Sequence, residues 1–389
     1  MYKPIKELDI YISDGNYSSK YPCSEEFVSE GIPFIRGNNM LDGEIIDEDM
    51  YFITSEKHSI LLKGHVKAGD VLITTRGNIG QVAIVPEKHE DSNINAQIVL
   101  LRVNSNSLYN RYLLWALQSK KTKEQFESLQ TGTALKQLPV GKLEQVKIKH
   151  IDLEEQHYIV NILDRTYQII KQRRWELQEL DSLIKSRFVE MFGDPVLNPY
   201  GWEQTTLKDV AVGNLSYGSC ASAVEFDGTC RYVRITDITE SGGLNDDVKS
   251  PDKYDEKYLL HDGDVLFARS GATVGKTLRY SEEKHGKGIY AGYLIRLVPN
   301  TEKVLPDYVF YYTKTEYYAS FVKKAQRAVA QPNINAQEYG DLIICVPPIE
   351  LQEKFMAFVT QVDKLKFEVQ RSLDETQMLM DSLMQKYFG

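Results

Sequence analysis

Two short segments, nearly two hundred residues apart, set an arginine and two glycines directly behind an apolar run. The first reads Gly69-Asp70-Val71-Leu72-Ile73, then Arg76-Gly77 and Gly80; the second reads Gly263-Asp264-Val265-Leu266, then Arg269, Gly271 and Gly275. Glycine lets a chain turn tightly after a buried strand. An arginine at the strand's exit offers a planar fork of donors suited to phosphate or to the edge of guanine. The structural alternative is that Arg76 and Arg269 pair with Asp70 and Asp264 at the start of the same strand. A second matched pair, Arg36-Gly37-Asn38-Asn39 and Arg234-Ile235-Thr236-Asp237, carries base-reading chemistry, since asparagine can bond adenine bidentately and arginine can bond guanine. Loop capping is the alternative for Asn38, Asn39 and Asp237. Polar loops, 131–137 and 330–335, lie at equivalent places ahead of two long helical segments. They offer Lys136, Gln137, Gln331 and Asn333 as groove contacts, and Lys276, just behind Gly275, completes the candidate set.

No catalytic constellation emerges beside these. The run from Ser270 to Thr277 is similar to a phosphate-binding loop, but Ser270 stands where the first glycine is needed and the matching first segment has no Lys-Ser/Thr. Asn198-Pro199-Tyr200 lacks the second proline of an amino-methyltransferase signature, and no glycine-rich turn for a methyl donor follows. No paired carboxylates with a lysine are spaced as in a nuclease. His157 and His285 lack nucleophile partners and are expected to be solvated. Cys23, Cys220, Cys230 and Cys345 show no CxxC pairing and no histidine at ligand spacing, so free thiols are expected. The expectation is a protein with no catalytic residue, no metal and no cofactor.

The chain has 389 residues, room for two or three domains, with an ordinary soluble composition. No apolar run approaches the roughly 20 residues that cross a bilayer, and no signal stretch opens the sequence, so a cytoplasmic protein without membrane contact is expected. The net charge of −9 opposes simple phosphate binding. It is unevenly spread. Residues 1–150 hold 18 Lys+Arg against 19 Asp+Glu, and 193–348 hold 17 against 21, while Gln118–Lys149 carries seven lysines against three glutamates. Local basic faces on an acidic body suit a chain that touches DNA in patches and needs basic partners.

The elements that must position these residues come in duplicate. Residues 1–150 read as mixed α/β, with short β-rich runs at Ile32–Ile35, Val71–Thr75, Gln81–Val85, Ile98–Val103 and Val146–Ile148 and one amphipathic helix over Tyr109–Leu129. Residues 205–348 repeat the plan, with a tyrosine-rich helix from Pro306 to about Lys324. From Leu153 to Gly193 the offset to the second copy is a constant 196 residues. In that stretch Leu163, Ile170, Leu177, Ile184 and Met191 fall seven apart. Phe355, Val362, Val369, Thr376 and Leu383 do the same in the second copy, with a further row at Phe358, Leu365, Ser372 and Leu379 expected to complete the seam. Helices of that length run about 57 Å, too long for a small domain's core. Pairing them around a pseudo-two-fold axis makes an antiparallel coiled coil with the globular parts at opposite ends. The division expected is 1–150, 151–192, 193–348 and 349–389.

Together, the doubled "GDVL…R.G..G" segment, the "PPIELQEKF" opening of the second helix, its weaker counterpart "IDLEEQHYI" and the junction "MFGDPVLNPYGWEQTTLKDV" resemble the specificity subunit of type I restriction-modification enzymes, over essentially the whole chain. The resemblance implies an α+β fold: two similar α/β target recognition domains separated by two long helices. Each domain would read one half of a bipartite double-stranded DNA sequence. The helices would set the gap and dock two methyltransferase subunits, which carry the methyl donor, and a restriction subunit that translocates and cuts would join through the complex. This chain itself would be non-catalytic. The alternatives are a stand-alone DNA methyltransferase or nuclease with an unrecognised site, and a two-headed protein adaptor.

Overall fold

The computed structural model describes residues 1–15, 20–133, 135–328 and 332–389, leaving aside the side chains of 327 and 328. It divides into two compact units: 1–173 with 371–389, and 174–370. Each unit therefore takes half of each long helix.

In the first unit a four-stranded antiparallel sheet runs in the order Ile10–Asp14, Ile98–Val103, Val71–Thr74, Val82–Ile84. The central strand Val71–Thr74 is wholly buried, which is why it reads as an unbroken apolar run and not as an alternation. In the second unit the same order recurs as Ser216–Tyr217, Leu294–Leu297, Val265–Ala268, Thr277–Arg279. Smaller pairings repeat too. Tyr2–Pro4 meets Lys147–Lys149, as Glu203–Thr206 meets Ile343–Val346, and a short parallel pair joins Phe34 to Asn93, as another joins Arg231–Val233 to Gly288–Tyr290.

The single helices expected over Tyr109–Leu129 and from Pro306 are each two. Asn110–Gln118 is followed by Lys120–Leu129, and Pro306–Tyr312 by Glu316–Ala328. The physical reason is a hydroxyl at the break. Ser119 Oγ donates to Ala116 O and accepts from Thr122 N, so it stops one helix and caps the next. Thr315, 196 residues on, bonds Tyr312 O and Tyr318 N in the same way.

The long helices span Leu153–Phe192 and Ile349–Phe388, 40 residues each. Gly193, at φ 76°, ends the first in a left-handed turn that a side chain would resist. Each helix is pinned at its start by a buried glutamine. Gln156 Oε1 accepts from Tyr109 N at 2.8 Å, and its Nε2 donates to Ser107 O and Ile151 O at 2.9 Å. Gln352 repeats this on Leu305 N, Lys303 O and Pro347 O.

Within the second unit Ile184, Phe188 and Phe192 share a core with Phe355, Val359 and Val362, and Lys366 pairs with Asp181 at 2.6 Å. Within the first, Ile159, Leu163 and Ile170 share a core with Met380 and Phe388. The opening half of one helix thus packs with the closing half of the other, the antiparallel arrangement expected. One row of the seam differs from expectation. Leu365 and Leu379 are 56% and 52% exposed, while Val359 and Met380 are buried. Val359 and Met380 lie four residues beyond positions of the first row, not three, so Leu365 and Leu379 do not form the second row, whereas Phe358 still packs against the second unit's core.

Candidate nucleic-acid interface

The turn behind each buried central strand is locked to the loop ahead of each long helix. In the first unit Leu138 N bonds Thr75 O at 2.9 Å, and Thr131 and Gln137 exchange both backbone bonds. Arg76 bridges Gln137. Arg76, Lys136 and Asn78 are exposed here, and Gln137 is half-buried. A hollow of about 400 Å³ opens between Gly77, Asn78, Gly80, Lys123, Gln130 and Lys136. In the second unit Gly271 N bonds Pro332 O and Ile334 N bonds Arg269 O, at 3.1 and 2.8 Å. Arg269 Nε donates to Asn333 Oδ1 at 3.1 Å and its guanidinium lies 4.7 Å over the Tyr217 ring. Gln331 lies outside the described residues.

Glycine is required at one position of each turn. Gly80 and Gly275 have φ of 88° and 87°. A Cβ on Gly80 would sit 3.0 Å from the Phe126 ring, and one on Gly275 would sit 2.5 Å from Val322. Phe126 and Val322 are again 196 residues apart, so the same close approach of turn to helix is built twice.

The pairing of Arg76 and Arg269 with Asp70 and Asp264 does not occur. Asp70, 2% exposed, takes Arg102 at 2.8 and 2.7 Å and caps Lys67 N. Asp264 caps His261 N and has Arg296 3.6 Å away; burial pushes its carboxyl above its ordinary value. The strand-start aspartates are therefore neutralised from the neighbouring strand, leaving the turn arginines at the outer edge.

The Arg36 and Arg234 motifs are braces. Arg36 N bonds Asn39 Oδ1, Asn39 Nδ2 bonds Glu48 O, and Arg36 Nη2 reaches Asp49 O at 2.6 Å while stacking 3.4 Å over Tyr51. Arg234 N bonds Asp237 Oδ2, and its guanidinium holds Asp237 at 2.6 Å and Asp247 at 2.9 Å. That guanidinium keeps the Asp247 carboxyl below its ordinary range. Asn39 is fully buried and presents no edge to a ligand, so it is corrected from reader to cap; Asn38 and Thr236 remain exposed. Lys276 is tied to Glu240 at 2.7 Å.

Lys120, Lys121, Lys123, Lys142 and Lys147 are exposed, in keeping with a basic face along Gln118–Lys149. Lys314 in the second unit is half-buried. It stacks 4.7 Å from Phe310, and burial lowers its pKa to about 8. His285 is half-buried against Tyr280 and not solvated; burial lowers it to about 4. Lys123 and Gln130 were visible in the sequence only as part of a lysine-rich run; their convergence on the glycine turn depends on the helix break at Ser119.

A family model described as the type I restriction modification DNA specificity domain matches residues 12–179 and again 199–375. Among curated proteins, the type I restriction enzyme MjaVIII specificity subunit of Methanocaldococcus jannaschii is 23% identical over 93% of this chain and 83% of its own length. The putative MjaX specificity subunit of the same organism is 28% identical over 49% of this chain, and the match spans 46% of that relative. Two solved structures share the fold. One is the S subunit of a type I restriction-modification system from M. genitalium, with 17% identity, coverage of 100% and 96% and a TM-score of 0.56. The other comes from a study of complex assembly and conformational transition in a type I R-M system, with 17% identity, coverage of 99% and 96% and a TM-score of 0.59. With that domain matched over both halves and the same sheet built twice, the chain belongs to the type I restriction-modification DNA specificity family.

Proposed function

We propose that this chain is the non-catalytic, sequence-reading subunit of a cytoplasmic type I restriction-modification complex, and that its two recognition domains each read one half of a bipartite double-stranded DNA target. The recognition domains would be 1–150 and 193–348, with 151–192 and 349–389 as spacers. One observation carries the reading: the same turn-and-loop edge occurs in both units on a duplicated frame, but with different side chains. Arg76, Lys123 and Lys136 occupy it in the first, and Arg269, Asn333 and Tyr217 in the second. A shared scaffold with divergent polar groups is what two different half-sites require, because phosphate contacts position and base contacts specify.

Lysines at Lys123 and Lys136 would meet phosphates, while Arg76, Arg269 and Asn333, with Asn38, Thr236, Gln137 and Gln331, would supply groove contacts. Arg36, Arg234 and Lys276 would support those loops through the braces described. A 40-residue helix rises about 60 Å, more than the roughly 34–36 Å between half-sites one turn apart, so the helix pair can fix a gap. Trp175, Leu365 and Phe367 on the long helices are 58%, 56% and 67% exposed. Single exposed apolar residues are ordinary on a protein surface, but these stand on the helices that would carry the partners, and we assign them to two docked methyltransferase subunits, with a restriction subunit joining through the assembly. Among the described residues no helix is long and apolar enough to cross a membrane.

Methylome sequencing of cells expressing this chain with its methyltransferase partner tests the proposal. The expected result is a bipartite motif with adenines modified in both halves. A continuous palindrome, or methylation by the chain alone, would overturn it.

A further inference from the structure

The first unit holds a cluster that DNA reading does not use. His58 Nε2 lies 3.3 Å from Asp91 Oδ2, and His65 Nδ1 lies 3.6 Å from Asp91 Oδ1. The three ligand atoms all fall within 4.8 Å of one another. The outer nitrogen of each ring is already assigned. His58 Nδ1 meets Asn93 Oδ1 at 2.5 Å and His65 Nε2 meets Leu61 O at 2.5 Å. Both partners are oxygen acceptors, so both outer nitrogens carry the hydrogen. In the neutral rings the inner nitrogens then turn lone pairs toward a carboxylate, and three acceptors converge with no donor between them.

This is the arrangement of a metal-binding histidine pair, in which the second ring nitrogen is fixed by a carbonyl or amide oxygen. The backbone sets it in advance. Val66 N bonds Ser92 O, Asp91 N bonds Val66 O and Ile94 N bonds Gly64 O, at 2.9–3.0 Å. Arg102 Nη2 holds His65 O at 3.2 Å. Asp91 stands in the left-handed region at φ 62° with its side chain 72% exposed, so an ion has a way in. In the second unit the bridge equivalent to His65–Asn93 joins Leu259 and Ile289, both apolar. The cluster is therefore a property of one unit and not of the shared frame.

We propose that His58, His65 and Asp91 form a binding site for a zinc-class first-row dication, with two nitrogens and one carboxylate oxygen as ligands and a fourth position open to water. Tetrahedral ligation at about 2.0–2.2 Å needs ligand atoms about 3.3–3.6 Å apart. The two histidine nitrogens stand 3.3 and 3.6 Å from the two oxygens of the one Asp91 carboxylate, so a rotation of that exposed side chain brings a single oxygen between them. Nitrogen ligands favour zinc over magnesium or calcium, which prefer all-oxygen shells. The bound ion would clip the turn at Asp91 to the helix Ser55–Ile60 through His58 and to the segment after it through His65.

The test is calorimetric titration of the chelator-stripped full chain with Zn²⁺ alone, without DNA, and of Asp91→Asn, His58→Gln and His65→Gln. Asparagine tolerates the left-handed backbone, so Asp91→Asn removes the charged ligand while keeping the turn. The expected result is one equivalent bound by the wild type, at least tenfold weaker binding by each variant, a visible Co²⁺ band that the variants lose, and no change in Cys23→Ser. Absence of binding up to millimolar Zn²⁺, or binding that the three variants leave unchanged, would overturn the proposal.

Discussion

Replacing Gln352 by leucine should destabilise the second unit far more than an ordinary polar-to-apolar change. The side chain is fully buried and makes three bonds to backbone: it accepts from Leu305 N at 2.8 Å and donates to Lys303 O at 3.0 Å and Pro347 O at 2.8 Å. Leucine keeps the volume but strands one N–H and two carbonyls. Each stranded group costs about 1–2 kcal/mol, and the added apolar burial returns about 1 kcal/mol, for a net loss of about 3 kcal/mol. In a unit of this size that lowers the melting temperature by about 6–12 °C. Calorimetry of the full chain reads the shift, and hydrogen exchange should show the Leu305 amide losing protection. Gln156→Leu should do the same to Tyr109 in the first unit. A change under about 0.5 kcal/mol, with Leu305 still protected, would refute the claim that this glutamine pins the helix start.

Gly275→Ala should cost about 2–4 kcal/mol, because the residue has φ 87° and the new Cβ would lie 2.5 Å from Val322; Val322→Ala in the same chain should recover the part due to the clash and leave the backbone strain, read by thermal unfolding. Lys314 has its folded pKa lowered by burial to about 8, so the folded state holds its proton less tightly than the unfolded one. Its ammonium form therefore costs stability at every pH below 8, and the cost fades as pH rises from there toward the ordinary lysine value. Lys314→Met should stabilise by about 2 kcal/mol at pH 7 and by much less at pH 10, measured by urea unfolding at both. If the glycine-turn hollow meets phosphate, Lys136→Ala should weaken DNA binding by the assembled complex on every sequence alike. It should also reduce the slope of log K against log salt by about 0.9, and an unchanged slope would remove Lys136 from the interface.

The duplicated frame was legible in the sequence because its signals are local: an apolar strand closed by Arg and Gly, and a stripe of apolar residues seven apart. The helix breaks at Ser119 and Thr315 were not, since a hydroxyl bonded three residues in each direction looks in a sequence like any polar residue on a helix. The second row of the seam was misplaced for a related reason. Leu365 and Leu379 are as apolar as Val359 and Met380, and only the partner helix decides which row turns inward. Residue type alone offers Arg36 and Asn39 as base contacts; the groups that claim them, Asp49 O for the Arg36 guanidinium and Glu48 O with the Arg36 backbone N–H for Asn39, follow from how the loop closes. His58, His65 and Asp91 carried no spacing signal at all, because a turn 26 residues beyond His65 completes the cluster.

Exchanging residues 1–150 for those of a family member with a different target, then sequencing the methylome of cells expressing the chimaera with its methyltransferase, tests the central claim most directly. The account predicts that one half of the bipartite motif changes while the other half and the gap between them stay as they were. A motif that changes in both halves, or in neither, would contradict it.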